Sequence, residues 1–126
     1  MSVRAIRGAI DVEANTAAAI ATATRRLLVT MCEVNGIDQA DIISAFFTVT
    51  VDLNAAFPAA AARALGWVDV PLLDAQEIEV PGAMPRVIRV LLHVVTGRPR
   101  MEIQHVYLDR AIALRPDLRP STTDRT

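Results

Sequence analysis

The chain has 126 residues, of which 52% are hydrophobic and 21% charged, with a formal net charge of −1. That size and balance exclude a disordered chain and fit one soluble globular domain over residues 1–126. The near-zero charge excludes a nucleic-acid or anionic-membrane surface, and no apolar run nears the roughly 20 residues of a membrane span.

Residues 2 to 12 alternate as a first strand, with Val3, Ala5 and Ala9 on one side, Arg4, Ile6 and Ile10 on the other, and Gly8 as a candidate bulge. Asn15 or Thr16 then caps a helix running to about Val34, with Ile20, Leu27, Met31 and Val34 on one stripe and Asn35-Gly36 as its stop. The stretch "DIISAFFTVTV" is a second strand, rich in branched and aromatic residues. Asp52 is placed to cap a short helical passage through "LNAAFPAAAARAL", closed by Gly66. "WVDVPLL" reads as a third strand, and Pro71 puts it at an edge or a strand end. "DAQEIEVPGAM" is a loop or a short extended piece.

"PRVIRVLLHVV" is the next strand. Alternation sets Val87, Arg89, Leu91, His93 and Val95 on one face and Ile88, Val90, Leu92 and Val94 on the other. Arg86 sits at the strand start within reach of water, whereas Arg89 has apolar neighbours on both sides. A shielded cation needs an anion, so Arg89 faces either a carboxylate of this chain or a ligand, and the residues alone leave both open. "GRPR" is a turn, a short helix follows around Met101 to Gln104, and "HVYLDRAIAL" returns as a final strand. The tail, from about 116 to 126, is expected to be mobile. The class is α+β: a mostly antiparallel mixed sheet with one long helix across a face. One covering helix leaves the other face open, which points to oligomerisation.

Little here serves covalent or metal chemistry. His93 and His105 stand in strand contexts with no triad spacing, and there is no HExxH, cysteine pair or glycine-rich phosphate loop. Cys32 is the single cysteine and reads as a small core residue of the helix. With no disulfide to form and no signal segment at the N-terminus, a cytoplasmic location is expected. All 13 basic side chains are arginine, so any anion site is built from forked, planar donors suited to carboxylates. Taken singly, Arg7 reads as an exposed strand face, Glu77 as a loop carboxylate and Tyr107 as core. Phe57 reads as a core anchor in a turn, and Arg115 with Asp117 as a solvated exit from the last strand.

Taken together, "RAIRGAIDVEANT", "DLNAAFPAAAARALGW", "VPLLDAQEIEVPG", "RVIRVLLHV" and "HVYLDRAIALRPDL" closely resemble the monofunctional chorismate mutases of the AroH class, over Val3 to Leu118. The resemblance implies a homotrimer with a pseudo-α/β barrel core and an active site at each subunit interface. It also implies cofactor-free isomerisation of chorismate to prephenate, on the route to phenylalanine and tyrosine. It assigns Arg89 to the substrate's ether oxygen, Arg7 and Tyr107 to a carboxylate, and Glu77 to the ring hydroxyl. Phe57, Ala59, Arg63, Leu72, Leu73, Asp74, Ala75, Gln76 and Leu114 fall on the implied pocket wall, and Arg115 on a closing C-terminal segment. Two positions depart from the pattern, which has lysine at Ala60 and cysteine at Asp74. Both changes imply a less positive pocket, with a second carboxylate beside Glu77. Two rival readings stand beside this one: an imine/enamine deaminase on a similar trimer, and a non-catalytic trimer that senses an aromatic-pathway acid.

Overall fold

The computed structural model describes residues 1–115 and Asp117; the expectation of a mobile tail falls, apart from Asp117, outside the described residues. The first strand, β1 (Ser2–Asp11), leads into the long helix α1 (Ala17–Asn35). Thr16 caps α1 by accepting from the Ala19 N–H, and Gly36 closes it in the left-handed region at φ 62°. Ile20, Leu27 and Met31 are fully buried on its inner face, as their spacing requires, and Val34 packs at the margin. β2 (Ile42–Val49), the short helix α2 (Pro58–Ala64), β3 (Leu72–Gln76), β4 (Val87–Thr96) and β5 (Val106–Leu108) follow.

The strands form one sheet in the order β3-β2-β4-β1-β5. β4 lies between β1 and β2 and is antiparallel to both, while β3 and β5 add in parallel at the two edges. The parallel edges explain the connections. A chain must cross over to return in the same direction, and α2 provides that passage between β2 and β3.

β4 is the centre of the fold. Ile88, Val90, Leu92 and Val94 turn towards α1 and are buried with Ile6, Ile10 and Phe47. Arg89, Leu91, His93 and Val95 share the opposite face and are half-exposed in the single chain. Among the described residues no α-helix covers that second face; the 3-10 turn at Ala111 packs only on its Ala9–Val87 end, and Phe46 on β2 and Val3 on β1 stand 41% and 58% exposed there. The open apolar face expected from one covering helix is present.

Several local expectations are corrected. The β1–β4 register runs unbroken through Gly8, so there is no bulge; a side chain at Gly8 would overlap the Met31 thioether, and the glycine lets α1 approach the sheet. Asp52 caps no helix: α2 begins later, after Phe57, with Pro58 in its first turn. The Asp52 carboxylate accepts instead from the Arg86 backbone N–H at 3.1 Å and from the Thr50 hydroxyl. Arg86 has φ 51°, an uncommon conformation for a residue with a side chain, and its Nε donates to the Val12 carbonyl at 2.9 Å while the residue stays half-exposed. This junction anchors the start of β4.

Trp67 to Val70 form a turn packed on the core rather than strand, because the aromatic and Val70 bury from a loop; β3 starts only after Pro71 and is an edge, as the proline indicated. Asp74 to Gln76, read as a loop or a short extended piece, are extended and belong to β3. The final strand is cut to Val106–Leu108 by Asp109, which adopts φ 54° and pairs bidentately with Arg26 of α1, and a 3-10 turn runs on to Leu114.

Candidate active site

The uncovered face of the sheet collects the charged residues. In the β1–β4 register Arg89 lies opposite Ala9, and in the β2–β4 register opposite Thr48. Its side chain is 42% exposed, so the single chain does not shield it as the apolar neighbours suggested. The strand's other face is the one sealed by α1; Arg89 belongs to the face that α1 does not cover.

Of the two anions the sequence left open, a carboxylate of this chain stands beside Arg89. Glu77 continues the β3 ladder, its N–H donating to the Val49 carbonyl at 2.8 Å. Its Oε2 accepts from the Thr48 hydroxyl and stands 3.5 Å from Arg89 Nε. That separation is an ion pair but longer than a well-formed N–H···O bond. Among the described residues the Arg89 guanidinium makes no closer contact with an acid, and it borders a cavity.

The cavity has a volume of about 390 Å³ and is bordered by Arg7, Arg89, Tyr107 and Arg115, with Phe46 and Thr48 from β2. Among the described residues no carboxylate borders it; Glu77 is hydrogen-bonded to Thr48, which does. Arg115 is paired with Asp117, Nε to Oδ1 at 3.0 Å and a terminal nitrogen to Oδ2 at 2.7 Å. Each group steadies the other's charge: the hydrogen bond from Arg115 holds the Asp117 carboxyl below its ordinary value, and Asp117 pushes Arg115 up. A small apolar-floored cavity ringed by guanidinium groups and a phenol suits a compact polyanion of carboxylate type.

The remaining expected wall residues do not border this cavity. Phe57, just before α2, and Arg63, Leu72, Leu73 and Asp74, on α2 and β3, lie at the other side of β2. Phe57 is 70% exposed and is no core anchor, because it precedes α2 with its ring outside the packed layer; Leu73 is 57% exposed. Ala59 is on the buried face of α2, while Ala75 and Gln76 are exposed at the end of β3. Leu114 packs with Ala9, Val87 and Ala111 beneath Tyr107.

Asp74 also departs from expectation. Its Oδ1 accepts from the Ala59 N–H at 3.1 Å, so the carboxylate ties β3 to the first turn of α2 instead of standing beside Glu77. Burial pushes its pKa up, opposed by that hydrogen bond and by the nearby Arg63 charge; Glu77 has no part in the shift. Ala60 is exposed on α2.

Residue patterning missed Phe46, Thr48 and His105. Period-2 alternation along β2 places Ser44, Phe46 and Thr48 on one face, which was a usable signal. That this face is Arg89's face follows only from the β2–β4 register.

Cys32 offers no nucleophile: burial raises its pKa to about 11. Among the described residues no cluster of histidine, cysteine or carboxylate has metal-holding geometry, and no helix is long and apolar enough to cross a membrane.

Comparison with known proteins bears on the same residues. The model of the family described as chorismate mutase type I matches residues 3–118. A Thermus thermophilus protein named chorismate mutase AroH is 56% identical over 117 residues, 92% of this chain and 96% of the relative. Its Bacillus subtilis namesake is 42% identical over 119 residues, 94% of each. A solved chorismate mutase from Clostridium thermocellum superposes with a TM-score of 0.86 at 50% identity, covering 86% of this chain and 97% of that one.

Proposed function

The chain belongs to the chorismate mutase type I family, and we propose how its residues carry out that reaction, the isomerisation of chorismate to prephenate in aromatic amino acid biosynthesis. In a [3,3] rearrangement a C–O bond breaks as a C–C bond forms within one molecule, and no proton or covalent adduct is required. The protein's tasks are to hold the compact, reactive conformer of a dianion and to stabilise negative charge growing on the ether oxygen.

The carrying observation is the group of arginines around one cavity: Arg89 on β4, with Arg7, Tyr107 and Arg115 bordering the same cavity and Glu77 3.5 Å from Arg89. Arg89 donates to the ether oxygen and a neighbouring carboxylate. Arg7 and Tyr107 hold the enolpyruvyl carboxylate. Glu77, oriented by Thr48, accepts from the ring hydroxyl and so fixes the substrate's register. Arg115 exchanges Asp117 for the bound dianion and closes the site.

Arg89 is not dry in the isolated chain, and the second group of family-implied residues lies apart on α2 and β3. Both facts support an active site completed by a neighbouring copy, in a homotrimer whose contacts cover the open sheet face. Phe57, Ala59, Arg63, Leu72, Leu73, Asp74, Ala75 and Gln76 of one subunit then face the arginine cavity of the next, with Leu114 packed beneath Tyr107. The enzyme works in the cytoplasm on free chorismate, without a cofactor.

The test is a spectroscopic assay of chorismate consumption with Arg89→citrulline, which keeps shape and removes charge. A large loss of kcat with modest loss of substrate affinity is expected; equal loss of both marks a receptor and overturns the catalytic role.

A further inference from the structure

The β1–β5 ladder begins at Gly8 and Val106. One residue earlier, where Arg7 faces the chain entering β5, the acceptor of the Arg7 backbone N–H is no carbonyl. It is Nδ1 of His105, at 3.0 Å. A ring nitrogen accepts only when it carries no proton, so the ring that makes this bond is neutral and holds its hydrogen on Nε2. The surroundings favour that state: burial first, then the Arg7 and Arg115 charges, push the His105 pKa down.

Arg7 also occupies a particular place. It borders the 390 Å³ cavity with Arg89 and Tyr107, and equally an adjoining cavity of about 450 Å³ that His105 lines. Its side chain therefore has two concave regions within reach, and the backbone at Arg7 decides how it is divided between them. We infer that His105 is a positioning residue for the reaction, its Nδ1 closing the β1–β5 ladder at Arg7 and so directing the Arg7 guanidinium into the catalytic cavity. This rests on the carboxylate-binding reading of Arg7 above.

The consequence is a particular kinetic split. Arg7 holds a carboxylate that is present in the ground state and the transition state alike, so loosening it weakens both together. Loss of the acceptor leaves a half-buried N–H unpaired and is expected to raise KM about tenfold, the effect of one such hydrogen bond, with kcat within about twofold.

The experiment compares His105→Leu, which removes the acceptor, with His105→Asn, whose amide oxygen lies near the position of Nδ1. Arg7→Ala serves as the reference, and 15N NMR of histidine-labelled wild-type enzyme reports the tautomer. Expected are an Nε2–H ring in the wild type, a raised KM in His105→Leu, and KM restored towards wild type in His105→Asn. A proton on Nδ1, or His105→Asn no better than His105→Leu, overturns the inference. So does His105→Leu with wild-type KM while Arg7→Ala is impaired. Should Arg7→Ala itself bind and turn over chorismate normally, the reading of Arg7 fails instead. If His105→Leu does not fold, the tautomer and the His105→Asn kinetics decide.

Discussion

At the scale of the residue, the magnitudes separate Arg89 from its neighbours. A positioned cation facing charge that develops in the transition state is worth about 3 kcal/mol or more, which is a factor of at least about a hundred in rate. Arg89→citrulline is therefore expected to lower kcat by about two to three orders of magnitude, read in the chorismate assay. Glu77 acts differently. Its carboxylate stands 3.5 Å from Arg89 and is the acceptor proposed for the substrate's hydroxyl, so Glu77→Gln removes an ion pair and keeps an acceptor. Asp74 has its own role. With Oδ1 on the Ala59 N–H, Asp74→Asn keeps the bond and Asp74→Ala loses it; the second change alone is expected to cost about 1 kcal/mol in urea unfolding, as loss of a helix cap does.

At the scale of the element, the geometry of the site is the geometry of β4 and its partners. Val87 to Thr96 alternate so strictly that one face is core and the other is site, and a slip of one residue would exchange them. The Asp52–Arg86 junction guards against that slip at the strand's start. The edge between β1 and β5 carries a pH signature. The folded His105 pKa lies below the ordinary histidine value, chiefly through burial, so the unfolded chain binds more protons as pH falls through about 6.5. Stability from this group is present above that pH and is lost below it. Arg7 and Arg115 bring their charges to bear on the ring, and Arg4, His93 and Arg100 share its cavity. The urea midpoint is expected to fall between pH 7.5 and pH 5.5 by more in the wild type than in His105→Asn. An equal fall in both proteins counts against the assignment.

At the scale of the whole molecule, the uncovered sheet face and the divided site lead to the same expectation. A sheet sealed on one side by α1 exposes Phe46 and Leu73 on the other, and the two groups of site residues lie on opposite sides of β2. In solution the mass by light scattering is expected to be three times that of the chain, and Phe46→Glu to reduce it. If each site uses arginines from one subunit and α2 from the next, mixing Arg89→Ala with Arg63→Ala subunits restores activity. Random assembly makes about one site in four intact, which sets the yield expected from denaturation and refolding of an equal mixture. No recovery would place the whole site within one subunit.

What the residues determined by themselves was local and periodic. Asn15 or Thr16 and Asn35-Gly36 bounded α1, alternation sorted β4 into two faces, and the words around Arg7, Phe57, Glu77, Arg89 and Tyr107 pointed to the family. These signals are legible because caps, turns and amphipathic periods act within a few residues of chain. What only the tertiary structure decided was everything set by register and packing across long separations. Gly8 serves helix approach rather than a bulge, Asp52 serves Arg86, Asp74 serves Ala59, and Arg89 meets Glu77 and Thr48 on an open face. A side chain's partner is fixed by which strand lies beside it, and the order β3-β2-β4-β1-β5 has no local signature in the chain.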